Sequence, residues 1–256
     1  MSDLDISLDD HVLTLRFNAP ETLNALTPTM VEGACHELEE AVTRDDVRVV
    51  VITGAGGAFS AGATLAGDDP AAHFDITAMD RANRLIRAVL RVDKPVVAAV
   101  NGIAAGVGCS LALACDLQVA TESAAFLLAF SRIGLTCDGG TSATVAAAIG
   151  RPAAMRMALL AEPMTARRAY KSGLISHVAP DAEYADLLDE VVNRLRRGAP
   201  LAFAATKKMI NAAALAQVED ALERERLAQS ALFSTDDTHE GMRAFVEKRR
   251  PVFVGR

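Results

Sequence analysis

Residues 94–120 read KPVVAAVNGIAAGVGCSLALACDLQVA, and this stretch decides the fold class. Pro95 to Asn101 is a run of β-branched residues and alanine without polar alternation, the pattern of a strand buried on both faces. A glycine-rich segment, NGIAAGVGCS (101–110), follows and leads straight into Leu-Ala-Leu-Ala-Cys. From Gly106 onward this segment is apolar on every side except Ser110, which predicts a buried helix over about residues 106–115. Asp116 to Ala120 then reads as a further short strand. A buried strand, a glycine turn, a buried helix and another strand make an α/β pattern.

The flanks extend it. His11 to Phe17 alternates apolar and polar, as a half-buried strand does. Thr27 before Pro28 is a helix start, with a hydroxyl cap followed by proline at the first helical position. Arg48 to Thr53 (RVVVIT) repeats the doubly buried strand, and residues 76–91 read as helix. After about residue 150 the strand signal disappears, and 151–160, 165–171, 180–197, 200–215 and 217–233 read as helices. An α/β core followed by a helical tail is expected.

With 256 residues the chain can bury a substantial core, and half of it is hydrophobic with no tryptophan. The net charge of −7 argues against nucleic acid or an anionic membrane as the main partner. Four cysteines lack CxxC spacing and histidine pairs, so no zinc or redox motif and no metal site are expected. The acidic start MSDLDISLDD has no apolar h-region, and no apolar run reaches the roughly 20 residues of a membrane span. A cytoplasmic protein with reduced thiols is the expectation.

A second glycine-rich segment, GAGGAFSAGA (54–63), also follows a buried strand. Amides at a helix start lack intrahelical partners and carry the positive end of the dipole. Such amides bind phosphate, or they form an oxyanion hole for a carbonyl gaining negative charge. Neither segment contains GxxxxGK[ST] or a complete dinucleotide fingerprint, so the phosphate option is weak. Glycine used only for tight turns and close packing is the plain alternative for either segment alone. Two such segments after buried strands favour a site built from both.

NAPETLNAL (18–26), GAGGAFSAGATL (54–65), residues 94–120 and FSRIGLTCDGGT (130–141) together resemble the successive blocks of the enoyl-CoA hydratase/isomerase family, the crotonases. The resemblance spans essentially the whole chain. It implies a spiral of ββα turns over residues 1–195 and a C-terminal helical region over 196–256 that mediates trimer contacts, within a homotrimer or a hexamer made as a dimer of trimers. It also implies an acyl-CoA substrate, with coenzyme A part of that substrate and no separate cofactor. The shared chemistry is stabilisation of a thioester enolate by two backbone amides, carried over here onto Ala63 and Val107. For CoA the resemblance points to Leu23, Ala25 and Ala61, with Leu65 on the acyl side. Thr22 stands where relatives often carry a basic residue. Lys248 and Arg249 are offered for the nucleotide end, or as a solvated charge run.

The family's hydratases use two glutamates, and their positions fall on Ser110 and Phe130, neither acidic; both positions face the substrate in the family. Adding water needs a group to activate it and a proton delivered to Cα, which a hydroxyl and a phenyl ring do poorly. Asp138, in IGLTCDGGT, resembles the aspartate with which double-bond isomerases of the family move a proton. An isomerase needs one base, and an apolar pocket raises the carboxyl pKa to suit it. The alternative for Asp138 is a cap on the helix starting near Gly139. Isomerisation of a 3-enoyl-CoA to a 2-enoyl-CoA is favoured, against hydration and against a catalytically weak acyl-CoA-binding protein. Ser110 is otherwise a core hydroxyl bonding its own helix, Cys109 and Cys137 small buried hydrophobes, Asp116 structural, and His73 a loop residue near the acyl chain or in solvent.

Overall fold

The structure is a computed structural model that describes residues 3–65, 71 and 74–256; His73 lies outside the described residues. Strand β1 (Leu4–Asp9) pairs antiparallel with β2 (Val12–Phe17), and the chain then enters α1 (Pro28–Glu40). Three turns of a spiral follow. Each lays one strand into a large sheet, one short strand into a second sheet, and then a helix: β3 (Val49–Gly54), β4 (Ala58–Ser60) and α2 (Ile76–Arg91); β5 (Val96–Val100), β6 (Ile103–Ala105) and α3 (Val107–Ala114); β7 (Leu117–Thr121), β8 (Ala125–Leu127) and α4 (Thr141–Leu160). After β9 (Met164–Thr165) and α5 (Ala166–Ser172), strand β10 (His177–Ala179) returns to the large sheet. The orders are β1-β2-β3-β5-β7-β10 and β4-β6-β8-β9. From β2 to β10 every pairing in the large sheet is parallel.

Strand periodicity explains why β3, β5 and β7 carry no polar alternation. Val50, Ile52, Val96, Ala98, Val100 and Ala120 face the main core with Phe59, Leu85 and Leu111. Their neighbours Val49, Val51, Val97, Ala99 and Val119 face Val191 of α6 (Tyr184–Arg196) on the opposite side. Both faces are dry, so both alternating sets are mainly apolar; polar exceptions such as Thr53 and Gln118 spend their donors on the Ala99 carbonyl and on the Ala112 and Cys115 carbonyls.

Helix starts follow the sequence signals. Thr27 Oγ1 accepts from the Met30 amide at 3.2 Å with Pro28 at the first position. Asp75 Oδ1 accepts the Thr77 and Ala78 amides at 2.9 and 3.0 Å to begin α2. Gly150 breaks α4 with φ 77° and ψ 157°, just before Pro152.

Two expectations need correction. Strands do occur after residue 150: β9 has two residues and β10 three, too short for a period to register. The glycine-rich segments are also more than turns, since β4 and β6 lie inside them.

The C-terminal helices are α7 (Pro200–Ala214), α8 (Val218–Leu232) and α9 (Asp236–Val246). No residue of α7 is fully buried, and Leu201, Met209 and Ile210 of it are exposed. What ties α7 down is Lys207. Its Nζ reaches Asp116 Oδ2 at 2.8 Å and the carbonyls of Val89 and Lys94 at 2.8 and 3.3 Å. Asp116 also accepts the Val96 amide at 2.7 Å, which gives it the structural role expected. Among the described residues no helix is long and apolar enough to cross a membrane.

Candidate active site

The two glycine-rich segments are held together by side chains whose polar atoms are committed to backbone. Asn101 Nδ2 donates to the carbonyls of Gly54 and Gly56, both at 2.8 Å. Asn24, fully buried, donates to Ala55 and Ala58 carbonyls and accepts the Ala19 amide. Ser60 Oγ donates to the Asn24 carbonyl and accepts the Gly62 amide. This network fixes the backbone at Ala61–Ala63.

Ala63 forms a single parallel bridge with Leu26. The Leu26 amide bonds the Gly62 carbonyl and the Thr64 amide bonds the Leu26 carbonyl. Leu26 thus pairs with the neighbours of Ala63, and the Ala63 N–H points the other way, as alternation along an extended chain requires. Val107 is the first residue of α3, so its N–H has no intrahelical acceptor. Gly106 before it sits at φ 51° and ψ −132°, and Gly62 at φ 96°, where a Cβ would lie 2.9 Å from the Ala105 carbonyl oxygen; a side chain at either would strain the backbone. Ala63 and Val107 thus each carry an amide outside these backbone pairings, and both residues line one space.

That space is two adjoining cavities. Ala63 and Val107 belong to the walls of both, together with Phe74, Ala78 and Ala82. One cavity, about 300 Å³, is also lined by Leu23, Ala61, Leu65, Phe130 and Asp138. The other, about 400 Å³, runs between α1 and α2. Asp138 is the one carboxylate in either wall among the described residues.

Asp138 is buried, at 6% exposure. Burial, reinforced by the negative charge of Glu225, pushes its carboxyl up to about 7, against hydrogen bonds from Ser110 and Gln229 that favour the charged form. It does not cap α4. The amides at that helix start, Gly140 and Ser142, donate to the Glu225 carboxylate of α8 at 2.6 and 2.8 Å. The Asp138 side chain is left free to face the cavity.

The remaining sequence candidates are spread unevenly. Ser110 lines neither cavity; its Oγ lies beneath Asp138, within reach of the Asp138 carbonyl at 3.1 Å, its Oδ1 at 3.4 Å and the Gly106 carbonyl at 3.3 Å. The Ala61 amide is taken by the Leu23 carbonyl, so its contribution to the wall is not that N–H. Ala25 and Lys248 are outside both walls, and Lys248 is exposed. Arg249 is committed to Glu240 and Glu247. Cys109 and Cys115 are buried thiols, raised by burial and inert as nucleophiles.

Glu225 and Gln229 of α8 escaped the sequence. Gln229 Oε1 accepts the Thr136 amide at 3.0 Å, and Gln229 lines the Asp138 cavity. Phe233, just past α8, packs against Phe74 with centroids 5.7 Å apart and rings tilted by 49°, and lines the same wall. Were Asp138 to act as a base it would act when ionised, and kcat/KM would rise with pH and level off above about 7. Glu225→Gln removes a charge that holds Asp138 up, and the bend in the profile moves to lower pH. A profile that does not move would show that Asp138 is indifferent to that charge.

The chain matches the enoyl-CoA hydratase/isomerase family over residues 8–256. It is 36% identical to the 2,3-dehydroadipyl-CoA hydratase of Escherichia coli over the full length of both chains. It is 34% identical to the 1,2-epoxyphenylacetyl-CoA isomerase of the same organism, over 96% of this chain and 95% of that one. Its fold superimposes on a crystal structure of an enoyl-CoA hydratase from Mycobacterium avium subsp. paratuberculosis with a TM-score of 0.92 and 45% identity, covering 99% of each chain. The family match over residues 8–256 and these full-length similarities agree with the fold: the chain is a member of the enoyl-CoA hydratase/isomerase, or crotonase, family.

Proposed function

We propose that the protein isomerises 3-enoyl-CoA thioesters to 2-enoyl-CoA thioesters, with Asp138 as its single acid/base. The observation that carries this is that Asp138 is the one carboxylate lining the cavity among the described residues, while Ser110 and Phe130 occupy the two positions where the family's hydratases carry glutamate. The ionised Asp138 takes the proton from Cα. The enolate oxygen accepts from the Ala63 and Val107 amides, and the protonated Asp138 returns the proton at Cγ. A carboxyl near neutrality suits both halves of that transfer. No electrons are gained or lost overall, so no redox cofactor is called for, and coenzyme A arrives with the substrate. The exposed apolar residues of α7 support assembly with further copies of the chain, as a trimer or hexamer.

Hydration is the second reading, favoured by the hydratases among the similar proteins. Incubation with a 3-enoyl-CoA and, separately, with its 2-enoyl isomer separates the two by product analysis. Isomerisation gives the conjugated thioester from the first and no 3-hydroxyacyl-CoA from the second. Rapid formation of 3-hydroxyacyl-CoA without bond migration would overturn the proposal.

A further inference from the structure

Helix α2 carries four arginines, and three of them are matched by acids. Arg84 lies 2.6 Å from both Glu32 and Glu39, and Arg87 and Arg91 each lie 2.8 Å from Glu219. Arg81 differs. Among the described residues no carboxylate lies at ion-pair distance from it, and its one hydrogen bond is from Nη1 to Thr77 Oγ1 at 3.2 Å. Asp75 feels its charge but is committed to the Thr77 and Ala78 amides and the Thr77 hydroxyl at the helix start. Arg81 is half-buried in the wall of the 400 Å³ cavity, beside Leu26, Val31, Phe74 and Leu85.

This cavity shares Ala63 and Val107 with the one that contains Asp138. A thioester oxygen on those two amides sits where the cavities meet. Cα and Cγ must lie on the Asp138 side, and the acyl chain beyond them has the α1–α2 cavity to run into. Among the described residues its walls are mostly hydrocarbon with one cation, and a half-buried cation with no counter-ion among them carries a desolvation cost. A substrate that brings the counter-ion offsets that cost, and an arginine takes a carboxylate through paired N–H donors.

We propose that Arg81 receives a carboxylate at the far end of the acyl chain, so that the preferred substrates are ω-carboxyacyl thioesters of coenzyme A. The proposal rests on the cavities holding a CoA thioester and is independent of which proton is moved.

The test is therefore binding of saturated thioesters, which have no double bond to shift or hydrate. Calorimetric titration compares hexanoyl-CoA with adipyl-CoA and octanoyl-CoA with suberyl-CoA, since the reach to Arg81 selects the length. For at least one pair the wild type binds the ω-carboxylate form tighter by about tenfold or more. Arg81→Met brings the members of that pair to within about twofold, and Arg81→Lys restores part of the difference. The absence of a preference in the wild type at both lengths overturns the proposal. So does equal weakening of both members by Arg81→Met, which would place the guanidinium on the phosphates common to all CoA thioesters. A preference measured in a protein that shifts no double bond would sink isomerisation and leave this site standing.

Discussion

Under the proposed isomerisation, Asp138→Asn loses the double-bond shift by about 10³-fold or more, within the range expected when a positioned acid/base is removed. An amide of the same shape neither takes the Cα proton nor returns it. The two free amides belong to Ala63 and Val107 on other segments, so the variant still binds a saturated acyl-CoA, which calorimetry checks. The same substitution has a second readout. A carboxyl raised to about 7 by burial destabilises the fold when ionised. The penalty is absent below the unfolded value near 3.8, grows as pH rises, and is complete above about 7. The variant escapes it, so its Tm exceeds that of the wild type at pH 8 and converges on it at pH 4. Undiminished turnover would remove Asp138 from the chemistry. Lost turnover together with a lowered Tm at pH 8 would show instead that the side chain supports the fold.

Lys207→Met is expected to cost the most stability, about 3–5 kcal/mol, because it removes one partner of a buried ion pair. The Lys207 side chain is 8% exposed and that of Asp116 20%. Without the ammonium, Asp116 keeps only the Val96 amide, and the Val89 and Lys94 carbonyls lose a donor. Helix α7 has no fully buried residue to hold it otherwise. Adding Asp116→Asn removes the stranded charge and recovers part of the loss, so the double variant is more stable than the sum of the singles predicts. Urea unfolding of the four proteins measures this. A loss under about 1 kcal/mol for Lys207→Met would show that the pair behaves like a solvated surface bridge.

Much of the frame was legible because one physical condition leaves a uniform mark. A strand dry on both faces shows a continuous apolar run, and Val49 to Ile52 and Val96–Val100 carry it. The special backbone at Gly62 and Gly106 was legible as glycine, because the conformations there exclude most side chains. Glu225 and Gln229 left no such mark. They lie in VEDALERERLAQSAL, where a carboxylate among so many charges looks like part of a solvated face. Only the tertiary fold brings that helix over the start of α4, and 85 residues separate Glu225 from the amide at Gly140 that it holds. Strands of two or three residues, such as β9 and β10, were silent for the simpler reason that a period cannot be seen in so few positions.

The position of α8 over Asp138 also sets an order in time. Synthesis delivers Gly62, Gly106 and Asp138 well before residues 218–232 leave the ribosome. A nascent chain that ends before α8 carries Asp138 without the charge of Glu225 or the hydrogen bond from Gln229 beside it. The electrostatic setting of Asp138 is thus completed only late in synthesis.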